Sequence, residues 1–298
     1  MRWKDLFGLV KETAVGWSKG QTFQLGAALA YYGSFALAPT LVIAIALAGI
    51  LFGEDAAQGR LAATLEDALG PAVAQAFAEI LTYVHVTGSG WTATVVGLGL
   101  VLFASTGLFT QLQWSLNAIW GVQPKPGRGF WNMLRARFFA FILILSTGAL
   151  LVLSLIANTA LVALNSYLGP TNGSAKFYLW EGMDWTLTFM LQTFLFAVIY
   201  KMLPDAIITW RDVGIGALIT ALLFALGNFL ICQYLSRAAP GSVYGPAGSL
   251  VVVMMWVYYS SQILLFGAEF TKNFANKYGI PMQPAKYDMA LDVSRRTT

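Results

Sequence analysis

The chain has 298 residues, of which 57% are hydrophobic and 11% are charged, and its formal net charge is +4. Soluble domains carry about 25% charged residues, so this composition excludes an ordinary soluble protein and favours one built from membrane-spanning segments. The single cysteine, Cys232, can form no internal disulfide. The single histidine, His85, leaves no cluster of His and Cys ligands for a metal.

The first 24 residues form a charged, amphipathic segment ahead of the first long apolar run. Apolar side chains recur in it at helical spacing, at Trp3, Phe7, Val10, Ala14 and Trp17. Two interpretations fit this stripe equally. The helix either lies in the membrane interface with Trp at headgroup depth, or packs on the cytoplasmic side of the protein itself.

Six long apolar runs predict an all-α polytopic membrane protein with six transmembrane helices, because about 20 apolar residues suffice to cross a bilayer. The runs lie at about 27–52, 91–120, 138–164, 183–203, 213–235 and 247–270. They define a membrane domain over residues 25–271. We expect the remaining residues, 272–298, to form a cytoplasmic tail that is partly disordered.

Two features interrupt this regular pattern. Pro39 lies inside the first span, where a proline removes a backbone donor and kinks the helix. Residues 53–90 form the longest connection, and two amphipathic pieces separated by Gly70 and Pro71 predict a helical hairpin in the first periplasmic loop.

The distribution of basic residues predicts the orientation. All but three of the 18 Lys and Arg residues fall on the side of the membrane that holds the N-terminus, the exceptions being Arg60, Lys176 and Arg237. The positive-inside rule therefore predicts that both termini are cytoplasmic. The same charges would attract anionic lipid headgroups, and they give little reason to expect a nucleic acid.

Polar side chains recur on one face of several spans, and in hydrocarbon they need partners from protein or water. Candidates for lining a shared polar cavity are Tyr31, Thr106, Gln113, Asn117, Gln192, Asn228, Tyr258, Ser261 and Gln262. Hydrogen bonds that merely join helices are the alternative. Charged residues expected at the inner rim are Arg135, Arg137, Lys201, Arg211 and Glu269. We expect Glu269 to pair with Lys201 or Arg211.

Three ordered motifs resemble those of a known family. They comprise residues 28–32 with Pro39, residues 107–109 with 116–120, and residues 242–250 with 259–263 and 267–271. The chain is similar in these motifs to the YihY/virulence factor BrkB inner-membrane proteins, over roughly residues 25–271. The resemblance implies a polytopic protein of the bacterial inner membrane, with a role in envelope maintenance that involves lipid or glycolipid.

A ribonuclease label attached to that family is not supported by the residues. Metal-dependent nucleases need clustered His and carboxylate ligands, and no such cluster, nucleophile motif or Walker A sequence occurs here. We therefore expect no catalytic residues, metal or cofactor, and a protein that binds or moves lipid through a polar intramembrane cavity. The alternative is a non-transporting scaffold that docks a periplasmic or envelope protein through residues 53–90. Either form is compatible with a homo-oligomer.

Overall fold

The structure is a computed structural model, which describes residues 3–36, 66, 71, 74–75, 78, 91–124, 174–238, 248–279, 283–284 and 288–290. This part of the chain is nearly all helical. Its six long helices are α1 (Trp3–Lys19), α2 (described over 22–36), α3 (Trp91–Trp120), α4 (Ser174–Met202), α5 (Trp210–Ala238) and α6 (Gly248–Tyr278).

Three described segments are long and apolar enough to cross a membrane: Trp185–Met202 in α4, Trp210–Leu235 in α5 and Gly248–Tyr278 in α6. They coincide with the predicted spans at 183–203, 213–235 and 247–270, although α6 continues past the predicted end. Helix α3 has the predicted bounds of the second span. The span at 138–164, most of the first span with Pro39, and nearly all of the hairpin at 53–90 lie outside the described residues.

Three pairs of packed helices run in opposite directions, which the short connections favour for α4 with α5 and for α5 with α6. Between α5 and α6, Gly216 meets Thr271 and Gly227 meets Tyr259. Between α4 and α5, Tyr200 meets Thr220 and Phe196 meets Phe224. Between α2 and α6, Gly26 meets Gln262 and Gly33 meets Val257.

Helix α3 runs in the same direction as α6. The indole of Trp120, at the end of α3, donates to the carbonyl of Ala268 in α6 (3.1 Å), whereas Leu108 and Val257 both border Gly33 about three turns earlier in the two helices. The main core lies between α2, α3, α4, α5 and α6, and its most enclosed members include Leu116, Tyr200 and Leu265. The packing of this core fixes the positions of the helices, and so of the polar side chains described below.

Four short strands lie where α3 ends and where α4 meets α5. β1 (Val122–Pro124) pairs antiparallel with β4 (Asp288–Ala290), and β2 (Ala206–Ile207) pairs antiparallel with β3 (Gln283–Pro284). The tail after α6 therefore returns to this end of the helical bundle. Hydropathy gives no signal for such pairing, because two or three residues of backbone hydrogen bonding carry no periodic pattern.

Candidate functional site

The polar stripe predicted on the last span is covered by the two N-terminal helices. Gln262 and Tyr258 lie against α2 at Gly26, and Glu269 lies against α1 at Gly16. A glycine at each of these two positions lets a large side chain approach the helix backbone directly. The stripe therefore forms an interface, which we call the α1–α2/α6 contact.

Gln262 is the most buried amide of that contact, with 9% of its surface exposed. Its Nε2 donates to the carbonyl of Thr22 over 3.4 Å, and a Cβ atom at Gly26 would overlap the same amide. Its Oε1 is shielded from solvent and has no hydrogen-bond partner in the described part of the structure. Reversing the amide would place oxygen against the Thr22 carbonyl, so the assignment shown is the favourable one.

Trp17 presents a second buried polar atom without a partner at the same contact. Its Nε1 is shielded and unpaired among the described residues. The indole packs on Phe23, with ring centroids 4.6 Å apart, and on Phe266 of α6, with centroids 6.1 Å apart. Sequence reasoning treated Trp17 only as an apolar or interfacial residue, because an indole N–H gives no pattern of its own.

Glu269 pairs with Lys272 on its own helix, with an N···O distance of 3.4 Å. The expected pairing with Lys201 or Arg211 is wrong. Lys201 donates instead to the carbonyl of Ile208 and lies over the Trp210 ring, and Arg211 is exposed. The i,i+3 partner satisfies Glu269 locally, so no cross-helix cation is required.

Helix α1 packs on α6 and still leaves an apolar surface free. Leu9 and Thr13 are fully buried, and Asn273 of α6 donates to the Thr13 hydroxyl over 3.3 Å. Phe7 and Val10, from the predicted stripe, are 74% and 43% exposed. The predicted stripe is therefore divided, since Trp17 packs on α6 whereas Phe7 and Val10 are exposed, and an interfacial position for this helix stays a prediction.

A second polar group lies where α3 ends. Asn117 donates to the Asp205 carboxylate over 3.0 Å and accepts from the Asp205 backbone over 2.9 Å, and Gln113 donates to the same carboxylate over 3.4 Å. We call these three residues the amide–acid cluster. Asn117 is buried, whereas Gln113 and Asp205 are half-buried. Asp205 was not predicted; an acid between two spans, at the end where Asn117 lies, was the available signal.

The other predicted cavity residues have separate surroundings. Asn228 accepts from the indole of Trp256 over 3.3 Å, and buried Ser261 donates to the carbonyl of Val257. Tyr31 is 54% exposed, whereas Thr106 and Gln192 are half-buried on α3 and α4.

Several of these polar residues thus form two groups among the described residues, and the shared cavity stays a prediction. The structure brings Gln113 and Asn117 to Asp205, and Tyr258, Gln262 and Glu269 to α1–α2. Arg135 and Arg137, expected at the inner rim, lie outside the described residues. Among the residues that are described, no three His, Cys, Asp or Glu side chains are grouped as a metal site.

The chain matches the family model described as virulence factor BrkB over residues 13–289. Similar proteins include UPF0761 membrane proteins from three bacteria. The protein from Kangiella koreensis is 24% identical over 267 residues (89% of this chain, 63% of the relative). That from Alcanivorax borkumensis is 27% identical over 255 residues (84% and 56%), and that from Vibrio cholerae is 29% identical over 193 residues (64% and 61%). The chain thus spans less than two thirds of these relatives. No solved structure matches it.

Proposed function

We propose that this chain, which belongs to the virulence factor BrkB family of membrane proteins, binds or moves a lipid or glycolipid at the bacterial inner membrane and so contributes to envelope maintenance. The observation that carries the proposal is the partial exposure of the amide–acid cluster. Hydrogen bonds that only join helices can be fully enclosed, but Gln113 and Asp205 remain partly accessible at the end of α3.

The chemistry of the cluster suits a lipid headgroup. Amide N–H groups of Gln113 and Asn117 can donate to phosphate oxygens, and the Asp205 carboxylate can accept from an ammonium or a hydroxyl. The cluster thus offers both donors and acceptors, which a zwitterionic or hydroxylated headgroup requires.

Exposed apolar side chains near the cluster suit the acyl part of the same molecule. Trp114 follows Gln113 on α3 and is 54% exposed, while Met202 and Ile207 flank the connection that holds Asp205 and are 58% and 60% exposed. Large exposed apolar groups beside a polar group are the arrangement that an amphiphile requires.

The test is movement of a fluorescent phospholipid across liposomes that contain the purified full chain, followed by quenching of the outer leaflet. Wild type should speed the exchange, and Gln113→Leu should remove most of the acceleration while still folding. Gln111→Leu is the matched control, because Gln111 lies on the same helix and its side chain donates to Ser115 within that helix (3.3 Å).

Two results would contradict the proposal. One is a wild-type chain that neither binds nor moves phospholipid, as the scaffold function through residues 53–90 would predict. The other is an equal loss of lipid movement in the Gln111 and Gln113 variants, since the effect would then come from α3 in general and not from the amide–acid cluster.

A further inference from the structure

Two orphaned polar atoms in the α1–α2/α6 contact have complementary chemistry. Trp17 Nε1 can only donate a hydrogen bond, and Gln262 Oε1 can only accept one. Both are shielded from solvent, and neither has a partner in the described part of the chain. Because a buried polar group without a partner is costly, an unpaired donor and an unpaired acceptor in one contact point to a group that is bound there.

The two atoms belong to one small region. Gln262 and Phe266 are one helical turn apart on α6, and the Phe266 ring contacts Trp17. From the other side, Gln262 donates to the carbonyl of Thr22, whose neighbour Phe23 packs against Trp17. Trp17 and Gln262 therefore share neighbours on both sides of the contact, Phe266 on α6 and the Thr22–Phe23 pair at the start of α2.

The pair selects a hydroxyl among common headgroup chemistries. An ammonium donates but cannot accept, so it would leave Trp17 unpaired, and a phosphate oxygen accepts but cannot donate, so it would leave Gln262 unpaired. A hydroxyl accepts from the indole and donates to the amide oxygen. The aromatic rings around it would pack on the carbon atoms of a glycerol or a sugar.

We propose that Trp17 and Gln262 bind a headgroup hydroxyl of a glycerol- or sugar-bearing lipid. This inference rests on the proposed function and adds a second headgroup site, separate from the amide–acid cluster. Trp17 is itself only partly buried, so the hydroxyl enters beside its ring.

The experiment compares two lipids of equal charge and identical acyl chains, phosphatidylglycerol and phosphatidylmethanol, of which only the first has headgroup hydroxyls. Binding to the detergent-purified full chain is measured by native mass spectrometry. Wild type should bind phosphatidylglycerol about tenfold more tightly, as two neutral hydrogen bonds imply. Trp17→Phe keeps the ring and removes the N–H, so it should reduce the preference to about threefold without weakening phosphatidylmethanol binding.

Matched variants keep the result decisive. Trp185→Phe alters an exposed indole on α4 and should retain the preference, and Gln24→Met is the control for Gln262→Met because Gln24 is exposed on α2. Should Gln262→Met not fold, Trp17→Phe carries the test. Equal wild-type affinity for the two lipids would overturn the hydroxyl site alone and indicate trapped water, whereas binding of neither lipid would overturn the proposed function as well.

Discussion

Helix α6 makes two contacts that both depend on glycine. The contacts differ in whether all of their buried polar atoms have hydrogen-bond partners. Toward α5, a Cβ at Gly216 would overlap Thr271 and a Cβ at Gly267 would overlap Thr220. Each threonine also donates to the glycine carbonyl of its own helix over 2.7 Å. This α5/α6 contact is reciprocal, and both hydroxyls have an acceptor.

Toward the N-terminus, glycine faces the ends of long side chains. Gly16 faces the Glu269 carboxylate and Gly26 faces the Gln262 amide, where one oxygen has no partner within the described residues. Glycines thus serve two purposes in the contacts of α6. In the α5/α6 contact they permit close packing of the two helices, and in the α1–α2/α6 contact they make room for the polar ends of long side chains.

The largest change in the free energy of unfolding is expected from adding a side chain at a glycine of the α5/α6 contact. Gly216→Ala should lower the free energy of unfolding by about 1–3 kcal/mol, because a Cβ there meets Thr271 with no room to relax. Gly214→Ala is two residues away on α5, in open space, and should raise that free energy by about 0.5–1 kcal/mol through helix propensity. Thermal melting in detergent measures both, and changes of the same sign would refute the close packing.

A smaller change in the free energy of unfolding is expected at Tyr200, which connects α4 to both α5 and α6. Tyr200 is fully buried, donates to the carbonyl of Leu264 over 2.7 Å and lies 3.1 Å from the Thr220 hydroxyl. Tyr200→Phe removes the hydrogen bonds of this buried hydroxyl and should cost about 1–2 kcal/mol of unfolding free energy. Tyr234→Phe, at an exposed position of α5, should cost almost nothing. Equal losses of stability in the two variants would show that the hydrogen bonds of Tyr200 are not the cause.

The smallest effect is expected in the α1–α2/α6 contact. Glu269→Gln should cost about 0.2–1 kcal/mol, since its pair with Lys272 is local and Lys272 is partly exposed. A double-mutant cycle in detergent should show coupling between Glu269 and Lys272 and none between Glu269 and Lys201. Coupling to Lys201 or Arg211 instead would restore the cross-helix pair and contradict the contact described here.

The elements that could be predicted were those whose own residues show a pattern of length, hydropathy or spacing. The apolar runs at 183–203, 213–235 and 247–270 were found as helices, because length and hydropathy decide what can cross a bilayer. The amides of α3 were recognised as one face by spacing alone. Asp205, their partner, was missed because it is 88 residues from Asn117 and no local pattern connects them.

By itself the sequence determined a helical membrane protein, the positions of its long apolar segments and the polar face of each one, since these depend on helix periodicity and the absence of water in hydrocarbon. Only the tertiary structure decided which face meets which. It turned the polar stripe of α6 toward α1–α2 rather than α3, gave Glu269 a local partner and left Trp17 and Gln262 with complementary unpaired atoms. Those outcomes depend on how closely two backbones approach, and that distance is fixed by glycines on one helix facing particular side chains on another.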